Sequence, residues 1–367
     1  MAMQWTRRQV LTQMGIAAAA VHTLDPHELC CFVPAHAQTA DKNLFEFKKV
    51  ADGVYAAVAA AAYKINSNAA VIMTDDGVIV VDAHSKPSAA RAVYTEIQRV
   101  TNKPVRKIVN THFHWDHWQG NAEYSAANPG LEIIATERTR ENLTRPDAGR
   151  GGIPFIETQL KALPGEIDKL KADVLAASGD TKKNLESSLQ QTETYLQELK
   201  QLKPALPTRT IATTSTLKEQ GREIQLHMLG RGHTDGDLYI YLPKEKVVVT
   251  GDALVDVMPF LNDGYPEDWV TTLTALENLD FTHIIPGHGE VMPKSGLSFF
   301  RGYISELIAA VKKAAADGAT LDEMKTKVAE QLAPKYEQAM SKYPYGRYRA
   351  SIGINIEAVH KKVVTKA

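Results

Sequence analysis

The sequence predicts an α/β fold in which helices pack on sheets. Strand and helix patterns alternate early in the chain: residues 44–82 are strand-rich, Ser88–Val100 has the spacing of an amphipathic helix, and Val105–Val109 is a strand. At 367 residues, the chain exceeds the roughly 250–300 at which a single core stops growing. One large domain with an insertion, or two unequal domains, is therefore expected.

The strand-rich part is predicted to span residues 44–300. Its early strands include a hairpin, because Asp75-Asp76-Gly77 is a turn sequence that leads into the apolar run 78–81. Helical spacing at 304–316 and 321–332 predicts a C-terminal helical extension over residues 301–367. The later strand patterns are 224–229, 238–242 and 247–249.

Residues 138–208 form a predicted insertion of long helices rich in Leu, Lys, Glu and Gln. Apolar residues three and four apart predict two antiparallel helices, which separate at 178–180 and end before Pro204. We favour a surface hairpin whose two helices pack on each other, since a narrow apolar seam needs no external partner. The alternatives are a lid over the active site and a homo-oligomer contact through residues 158–203.

Composition and charge are those of a soluble globular protein. The chain has 42 Lys and Arg against 43 Asp and Glu, a net charge of -1. No overall basic field can attract a phosphate backbone, so a small-molecule substrate is expected rather than nucleic acid. No apolar run outside the N-terminal leader approaches the roughly 20 residues of a membrane span, and none is predicted.

Residues 1–37 resemble a twin-arginine export signal. Arg7-Arg8 precedes the small apolar run 14–21, and Ala35-His36-Ala37 suits cleavage after small residues. A periplasmic or secreted location is predicted, the alternative being an N-terminal arm on a cytoplasmic protein. The two cysteines, residues 30 and 31, lie in this leader. The mature chain would have none, which leaves His and carboxylates as the transition-metal ligands.

The clearest chemical signal follows the strand 105–109. Three imidazoles and one carboxylate, namely His112, His114, Asp116 and His117, stand within six residues. All are good ligands for a divalent ion. Loops at the carboxyl ends of strands are where α/β proteins place their sites, so this loop is predicted to bind metal.

These four residues match the HxHxDH signature of the metallo-β-lactamase superfamily, which the chain resembles over roughly residues 50–293. Asp82 matches the first motif, His233 in GRGHTDGD the third, Asp252 the fourth and His288 in PGHG the fifth. The resemblance implies an αββα sandwich, with the helical hairpin inserted in it and the C-terminal helices added to it.

The resemblance also implies a pair of metal ions, expected to be two Zn²⁺, with iron or manganese as alternatives. His112, His114 and His233 would hold one ion; Asp116, His117 and His288 would hold the other; Asp252 would bridge them. A metal-bridging hydroxide would be the nucleophile, and Asp116 would orient it and pass its proton on. Asp82 would orient the metal loop rather than bind metal.

The first functional hypothesis is a zinc-dependent hydrolase of a small ester, thioester, lactone or amide. β-Lactam hydrolysis is the named alternative. An iron-dependent oxidoreductase like the persulfide dioxygenases is the alternative from another class, and it would use a subset of these ligands. A non-catalytic binding protein on this fold is expected to lose ligands, and no motif residue is missing.

Residues near the motifs carry weaker expectations. His84 either supports a metal ligand from behind or is merely a neighbour of the site, whereas His227 and His283 are expected to be packed structural histidines. Trp115 and Trp118 either wall an apolar substrate pocket or belong to the core. Phe113 and the segment 258–261 would add apolar surface, and Arg231 or the loop 347–349 would supply a positive contact.

Overall fold

The computed structural model describes residues 44–60, 67–147, 149, 151–219, 221–343 and 347–366. The predicted export signal, residues 1–37, lies outside these residues, so export and a periplasmic or secreted location stay predictions. None of the helices in the described part of the chain is long and apolar enough to cross a membrane.

The first sheet has seven strands that lie side by side in chain order. The first four pair antiparallel, and the last three pairings are parallel. The strands are β1 Phe45–Ala51, β2 Val54–Ala59, β3 Ala69–Met73, β4 Val78–Val81, β5 Val105–Val109, β6 Glu132–Thr136 and β7 Arg209–Ile211.

The second sheet has six strands, again ordered along the chain. All of its pairings are antiparallel except that between the fourth and fifth strands. The strands are β8 Ser215–Glu219, β9 Arg222–His227, β10 Tyr239–Leu242, β11 Val247–Gly251, β12 His283–Pro286 and β13 Met292–Pro293.

The strands carry apolar residues on both faces, so one face of each sheet can pack against the other sheet. In β4, Ile79 and Val81 join Ile240 of β10 in the core between the sheets. Val78 and Val80 point the other way and pack under helices. This is the alternation that a strand buried on both sides requires.

Helices cover the outer face of each sheet, which gives the predicted αββα sandwich. The helices along the chain are α1 Pro87–Val100, α2 Trp115–Trp118, α3 Asn121–Ala127, α4 Glu137–Thr144, α5 Ile153–Ala176, α6 Gly179–Gln201, α7 Pro266–Glu277, α8 Ser295–Ala316, α9 Leu321–Tyr336 and α10 Tyr348–Val359. A π-helical turn, His360–Val364, continues α10.

The predicted helical hairpin is α5 followed by α6, but it does not pack only on itself. Leu163 of α5 and Tyr195 and Leu199 of α6 share an apolar cluster with Phe113 and Trp118 of the loop after β5. The expectation of a self-contained surface hairpin is wrong in this respect, because its base rests on the candidate metal loop. Whether the hairpin mediates oligomerisation stays a hypothesis.

The C-terminal helices pack into the same core as the second sheet. Helix α8 begins at Ser295 rather than at Ile304, so the boundary expected at residue 300 falls inside a helix. Its Phe300 shares a cluster with Tyr239 and Tyr241 of β10. The alternation in β10 sends these tyrosines outward, where they need the cover that the C-terminal helices provide.

Candidate metal centre

The predicted site residues lie where the strand-end loops of the two sheets meet. Val81 and Val109 are paired in register, so the chain leaves β4 and β5 at the same edge. The two sheets are joined there by backbone hydrogen bonds, including one of 2.9 Å from Leu238 N to Thr111 O. Loops of both sheets can therefore contribute ligands to one centre.

A first group of candidate ligands consists of His112, His114, His233 and Asp252. One ligand atom from each lies within 4.8 Å of the others. His114 Nδ1 is 2.8 Å from His233 Nε2, and His233 Nε2 is 3.6 Å from Asp252 Oδ2. All three imidazoles are buried, so the group is aimed inward rather than at solvent.

A second group consists of Asp116, His117 and His288. His288 Nε2 lies 3.2 Å from Asp116 Oδ2, and His117 Nε2 lies 3.7 Å from the same oxygen. This group also faces Asp252, whose Oδ1 is 3.2 Å from His117 Nε2 and 3.3 Å from His288 Nε2.

Asp252 therefore stands between the two groups. Its Oδ2 faces the first and its Oδ1 faces the second, which is the arrangement a bridging carboxylate needs. The backbone before His288 comes very close to it, since a Cβ at Gly287 would lie 1.9 Å from Oδ1. Only glycine permits that approach.

Unpartnered polar atoms at the centre fit a bound cation. His112 Nε2, His117 Nε2 and Asp252 Oδ1 are buried and lack a hydrogen-bond partner among the described residues. A buried polar atom without a partner costs roughly 1–3 kcal/mol. Metal coordination satisfies such atoms, and imidazole and carboxylate are suitable ligands for Zn²⁺, iron and manganese.

The protein controls the charge of these side chains through burial and neighbouring groups. Burial and the surrounding imidazoles lower the pKa of His112 well below its usual value and that of His233 to about 3, which keeps both rings neutral. Burial opposes ionisation of Asp116, but the charges of His117 and His288 outweigh it and lower its pKa to about 2. Metal binding needs neutral imidazoles and ionised carboxylates, so His112, His233 and Asp116 are already in the required form. Burial opposes the charge of His117 and His288, but the carboxylates around them outweigh it and raise the pKa of both rings, so these two must release a proton when a metal binds.

Asp82 holds the metal loop in place. Its Oδ1 accepts the Thr111 N–H and its Oδ2 accepts the Thr111 hydroxyl, both at 2.8 Å. The same Oδ2 accepts Nδ1–H of His117 at 2.8 Å. This bond leaves His117 Nε2 free to face the centre, so Asp82 has the orienting position that the sequence predicted.

His84 is connected to the metal centre through Ser67. Its Nδ1 lies 2.6 Å from the carbonyl oxygen of Ser67, and the Ser67 hydroxyl donates to the carbonyl oxygen of Asp116 at 2.5 Å. Asp82 and His84 have φ angles of 61° and 64°, the left-handed region that non-glycine residues seldom adopt. Burial lowers the pKa of His84 to about 4.

Asp263 is a site residue that the motifs did not indicate. Its Oδ2 accepts from His114 Nε2 at 3.1 Å, which turns His114 Nδ1 toward His233. Asp263 also lines a pocket of about 200 Å³ beside the centre, together with Phe113, Arg145 and Lys362. The contact between Asp263 and His114 depends on the path of the loop after Asp252, and a local sequence motif does not predict that path.

The structure also corrects several expectations about nearby residues. Trp118 is buried and donates to Gly151 O at 2.8 Å, so it belongs to the hairpin interface rather than to a pocket wall. His283 is exposed instead of packed. Arg231 pairs with Asp268 at 2.5 Å, and the pocket beside the centre takes its positive charge from residues 145 and 362 instead.

All seven residues predicted as ligands come together in this one centre, although their role as ligands stays a prediction. Sequence comparison is consistent with the fold and the geometry. The family model "Metallo-beta-lactamase superfamily" matches residues 62–288, more than half of the chain.

Two known proteins are among those similar to this chain. The linear primary-alkylsulfatase of Pseudomonas sp. (strain ATCC 19151) is 24% identical over 238 residues, which cover 62% of this chain and 42% of that protein. This chain thus matches less than half the length of that relative. The structure of a metallo-beta-lactamase from Pontibacter korlensis is 19% identical, with a TM-score of 0.49, and the match covers 71% of this chain and 99% of the other. From the family match, the chain belongs to the metallo-β-lactamase superfamily.

Proposed function

We propose that this protein is a metal-dependent hydrolase with two divalent ions, which cleaves a small carbonyl substrate such as an ester, thioester, lactone or amide. The observation that carries the proposal is the position of Asp252, whose two oxygens face two separate groups of histidines and carboxylate. Seven ligands exceed what one tetrahedral site can use.

Within this proposal, His112, His114 and His233 would hold one ion, and Asp116, His117 and His288 would hold the other. The carboxylate of Asp252, which faces both groups, would be shared between them. Divalent ions bound there would supply Lewis-acid chemistry: they would lower the pKa of water to about 7 and polarise the oxygen of the bond that is cleaved.

Asp116 is the proposed catalytic residue. Its carboxylate is partly exposed, in contrast to the fully enclosed ring of His117 beside it. It can therefore accept a hydrogen bond from the attacking water, orient it and take up its proton. The Ser67 hydroxyl holds the backbone of Asp116 and so limits rotation of the segment that carries this carboxylate.

The charges around the pocket favour a neutral substrate. Arg145 is paired with Asp147 at 2.8 Å, and Lys362 is bound to backbone carbonyl groups. Asp235 and Asp263 add negative charge at the same wall. With its cations engaged, the pocket offers little to attract an anion, whereas its phenylalanine offers apolar surface for an acyl body.

Sulfate-ester hydrolysis is a second candidate, favoured by the similarity to a linear primary-alkylsulfatase. For this reaction, the guanidinium N–H groups of Arg145 that the Asp147 pair does not use would have to contact the sulfate group, or Lys362 would have to leave the carbonyl groups it binds. β-Lactam hydrolysis and iron-dependent persulfide oxidation are weaker candidates, because nothing in the pocket favours either over a simple ester.

A matched pair of substrates separates the two leading candidates. Octyl acetate and octyl sulfate carry the same alkyl body, so the ratio of their kcat/KM values reports the choice between a neutral carboxylic ester and an anionic sulfate ester. We expect the zinc-loaded protein to prefer the acetate by more than about tenfold, or ~1.4 kcal/mol. The opposite preference would establish sulfate-ester hydrolysis instead.

Two further assays test the weaker candidates. With the zinc-loaded protein, a chromogenic cephalosporin reports β-lactam hydrolysis. With protein loaded with Fe²⁺ instead, oxygen uptake in the presence of a persulfide reports the iron-dependent reaction, because zinc itself supports no redox chemistry. The Asp116→Asn variant is the control, because it keeps the size of the side chain and removes the proposed proton acceptor. Activity that Asp116→Asn retains in full would remove Asp116 from the mechanism.

A further inference from the structure

The loop that carries Asp263 is tied to the end of the chain by one lysine. Lys362 Nζ donates to the carbonyl oxygens of Asn262 and Gly264, the two residues that flank Asp263, and the second of these bonds is 2.6 Å long. A longer bond, of 3.5 Å, reaches Leu261 O. The ammonium group thus spans the loop at the point where the Asp263 side chain leaves it.

A buried asparagine ties the same loop slightly earlier in its path. Asn355 of α10 donates from Nδ2 to Pro259 O at 2.8 Å, and its Oδ1 accepts Leu261 N–H at 3.1 Å. Its side chain is held in turn by the Tyr303 hydroxyl of α8, 3.2 Å from Nδ2. Asn355 is 1% exposed, so these bonds form away from competing water.

The strapped loop has one contact with a proposed metal ligand. Asp263 Oδ2 accepts from His114 Nε2, and this bond fixes which ring nitrogen faces His233. Hydrogen-bond partners of ligating histidines orient the ring, and their removal typically lowers metal affinity about 10–100-fold. The position of Asp263 therefore matters to the first ligand group.

Placing the charged ammonium group of Lys362 in a partly buried position costs free energy, which its hydrogen bonds to the loop must offset. Burial lowers the pKa of its ammonium group, and the nearby charge of Asp263 offsets this only in part. A partly buried charge is stabilising only when its geometry and hydrogen bonds are good. The residue lies on the π-helical turn His360–Val364, an uncommon conformation that occurs frequently at functional sites.

We propose that the C-terminal segment 355–362 is a strap that positions Asp263, and through it His114, for metal binding, with Lys362 and Asn355 as positioning residues. This rests on the proposed metal centre. It assigns a task to the C-terminal helices, which lie outside the residues matched by the family model.

The test compares two neighbouring lysines. Lys362→Met removes the ammonium group and keeps most of the stem, Lys362→Arg keeps the charge, and Lys361→Met is the matched control on an exposed side chain. Zinc affinities are measured by competition with a chelator. Amide hydrogen exchange of Leu261 and Gly264 is followed in the metal-free protein, where it reports the loop alone.

We expect Lys362→Met to weaken one of the two ions at least about tenfold, to leave the other within about threefold, and to speed exchange at both amides. Lys362→Arg should restore a large part of the affinity, and Lys361→Met should behave as the unmodified chain. Asp263→Ala should weaken binding of the same ion while both amides stay protected from exchange. This result would distinguish loss of the Asp263–His114 hydrogen bond from loosening of the loop that carries Asp263.

Unchanged zinc affinity in Lys362→Met, or equal weakening of both ions with a lowered melting temperature, would overturn the strap. A protein that binds two ions as described but hydrolyses none of the substrates would contradict the proposed function and leave the strap in place.

Discussion

His117 and Asp82 form a buried pair in which Nδ1–H of the imidazole donates to Oδ2 of the carboxylate at 2.8 Å. The same carboxylate accepts two bonds from Thr111. One side chain thus sets the backbone at the start of the metal loop and the ring orientation at its end. The left-handed φ of 61° at Asp82 is the conformation that aims it there.

Asp82→Ala is expected to act through this geometry. The change leaves the Thr111 and His117 donors without an acceptor, at a cost of roughly 1–3 kcal/mol for each buried group. Zinc affinity should fall about 10–100-fold but remain measurable, whereas Asp252→Ala should weaken both ions and nearly abolish turnover. Chelator competition on both variants decides this; equal metal loss would mean that the bridge is misassigned.

Tyr195 locks the helical hairpin to the metal loop. Its hydroxyl donates to Gln119 Oε1 at 2.9 Å and accepts from Gln159 Nε2 at 2.8 Å. Tyr195→Phe should lower the free energy of unfolding by roughly 1–3 kcal/mol, because both amides stay buried without their partner. Urea denaturation measures this loss.

A second tyrosine provides the matched control for that change. The buried hydroxyl of Tyr239 has no hydrogen-bond partner in the described part of the chain. Tyr239→Phe should therefore leave stability unchanged or raise it. If both variants lost the same stability, the hydrogen bonds of Tyr195 would not be the cause.

Gly120 is required by the close approach of the metal loop to the turn after β4. A Cβ at this position would lie 1.9 Å from the carbonyl oxygen of Ala83. Gly120→Ala should lower both the melting temperature and the zinc affinity, because the backbone at Ala83 or at residue 120 must move to make room for the added Cβ. Gly165→Ala is the control: nothing lies within 4 Å of its added Cβ, and it should stabilise α5 by about 0.5–1 kcal/mol. A neutral Gly120→Ala would refute the packing argument.

His84 should make stability depend on pH. Burial lowers its pKa from 6.5 to about 4 in the folded protein, so the unfolded chain binds the extra proton first as the pH falls. The contribution is present above pH 6.5 and is lost as the pH drops to about 4, on the order of 3 kcal/mol in all.

His84→Asn tests this dependence, because the amide can still donate to Ser67 O and asparagine tolerates a positive φ. Unfolding of the metal-free proteins is compared at about pH 7 and about pH 4, on either side of the expected transition. Between these two pH values, His84→Asn should lose less stability than the unmodified chain. His283→Asn, which changes an exposed histidine, should lose as much stability as the unmodified chain. Identical losses in all three proteins would contradict the assignment.

The sequence predicted the parts of this molecule that depend on local patterns. The apolar strand 78–81, the strand pattern 238–242, the turn at Asp75-Asp76-Gly77 and the strand Val105–Val109 all follow from neighbouring residues, and the structure has each of them. The candidate ligands were recognisable because HxHxDH packs four of them into one loop.

Contacts between distant segments were beyond the sequence. Asp263 reaches His114 over 149 positions, and Lys362 reaches Asn262 over 100. The hairpin was expected to be a self-packed pair because its apolar spacing does not reveal which surface it meets. Its contact with Phe113 and Trp118 depends on the tertiary path of the chain.

The proposed two-ion centre depends on Asp252 as its bridge, and metal stoichiometry is the decisive measurement. The chain is dialysed to equilibrium against zinc, and bound metal per chain is determined by elemental analysis for the unmodified protein and for Asp252→Ala. We predict about two ions per unmodified chain and loss of affinity for both in the variant. A stoichiometry that stays at one with full activity, or two ions held as tightly by Asp252→Ala, would show that Asp252 does not bridge a metal pair.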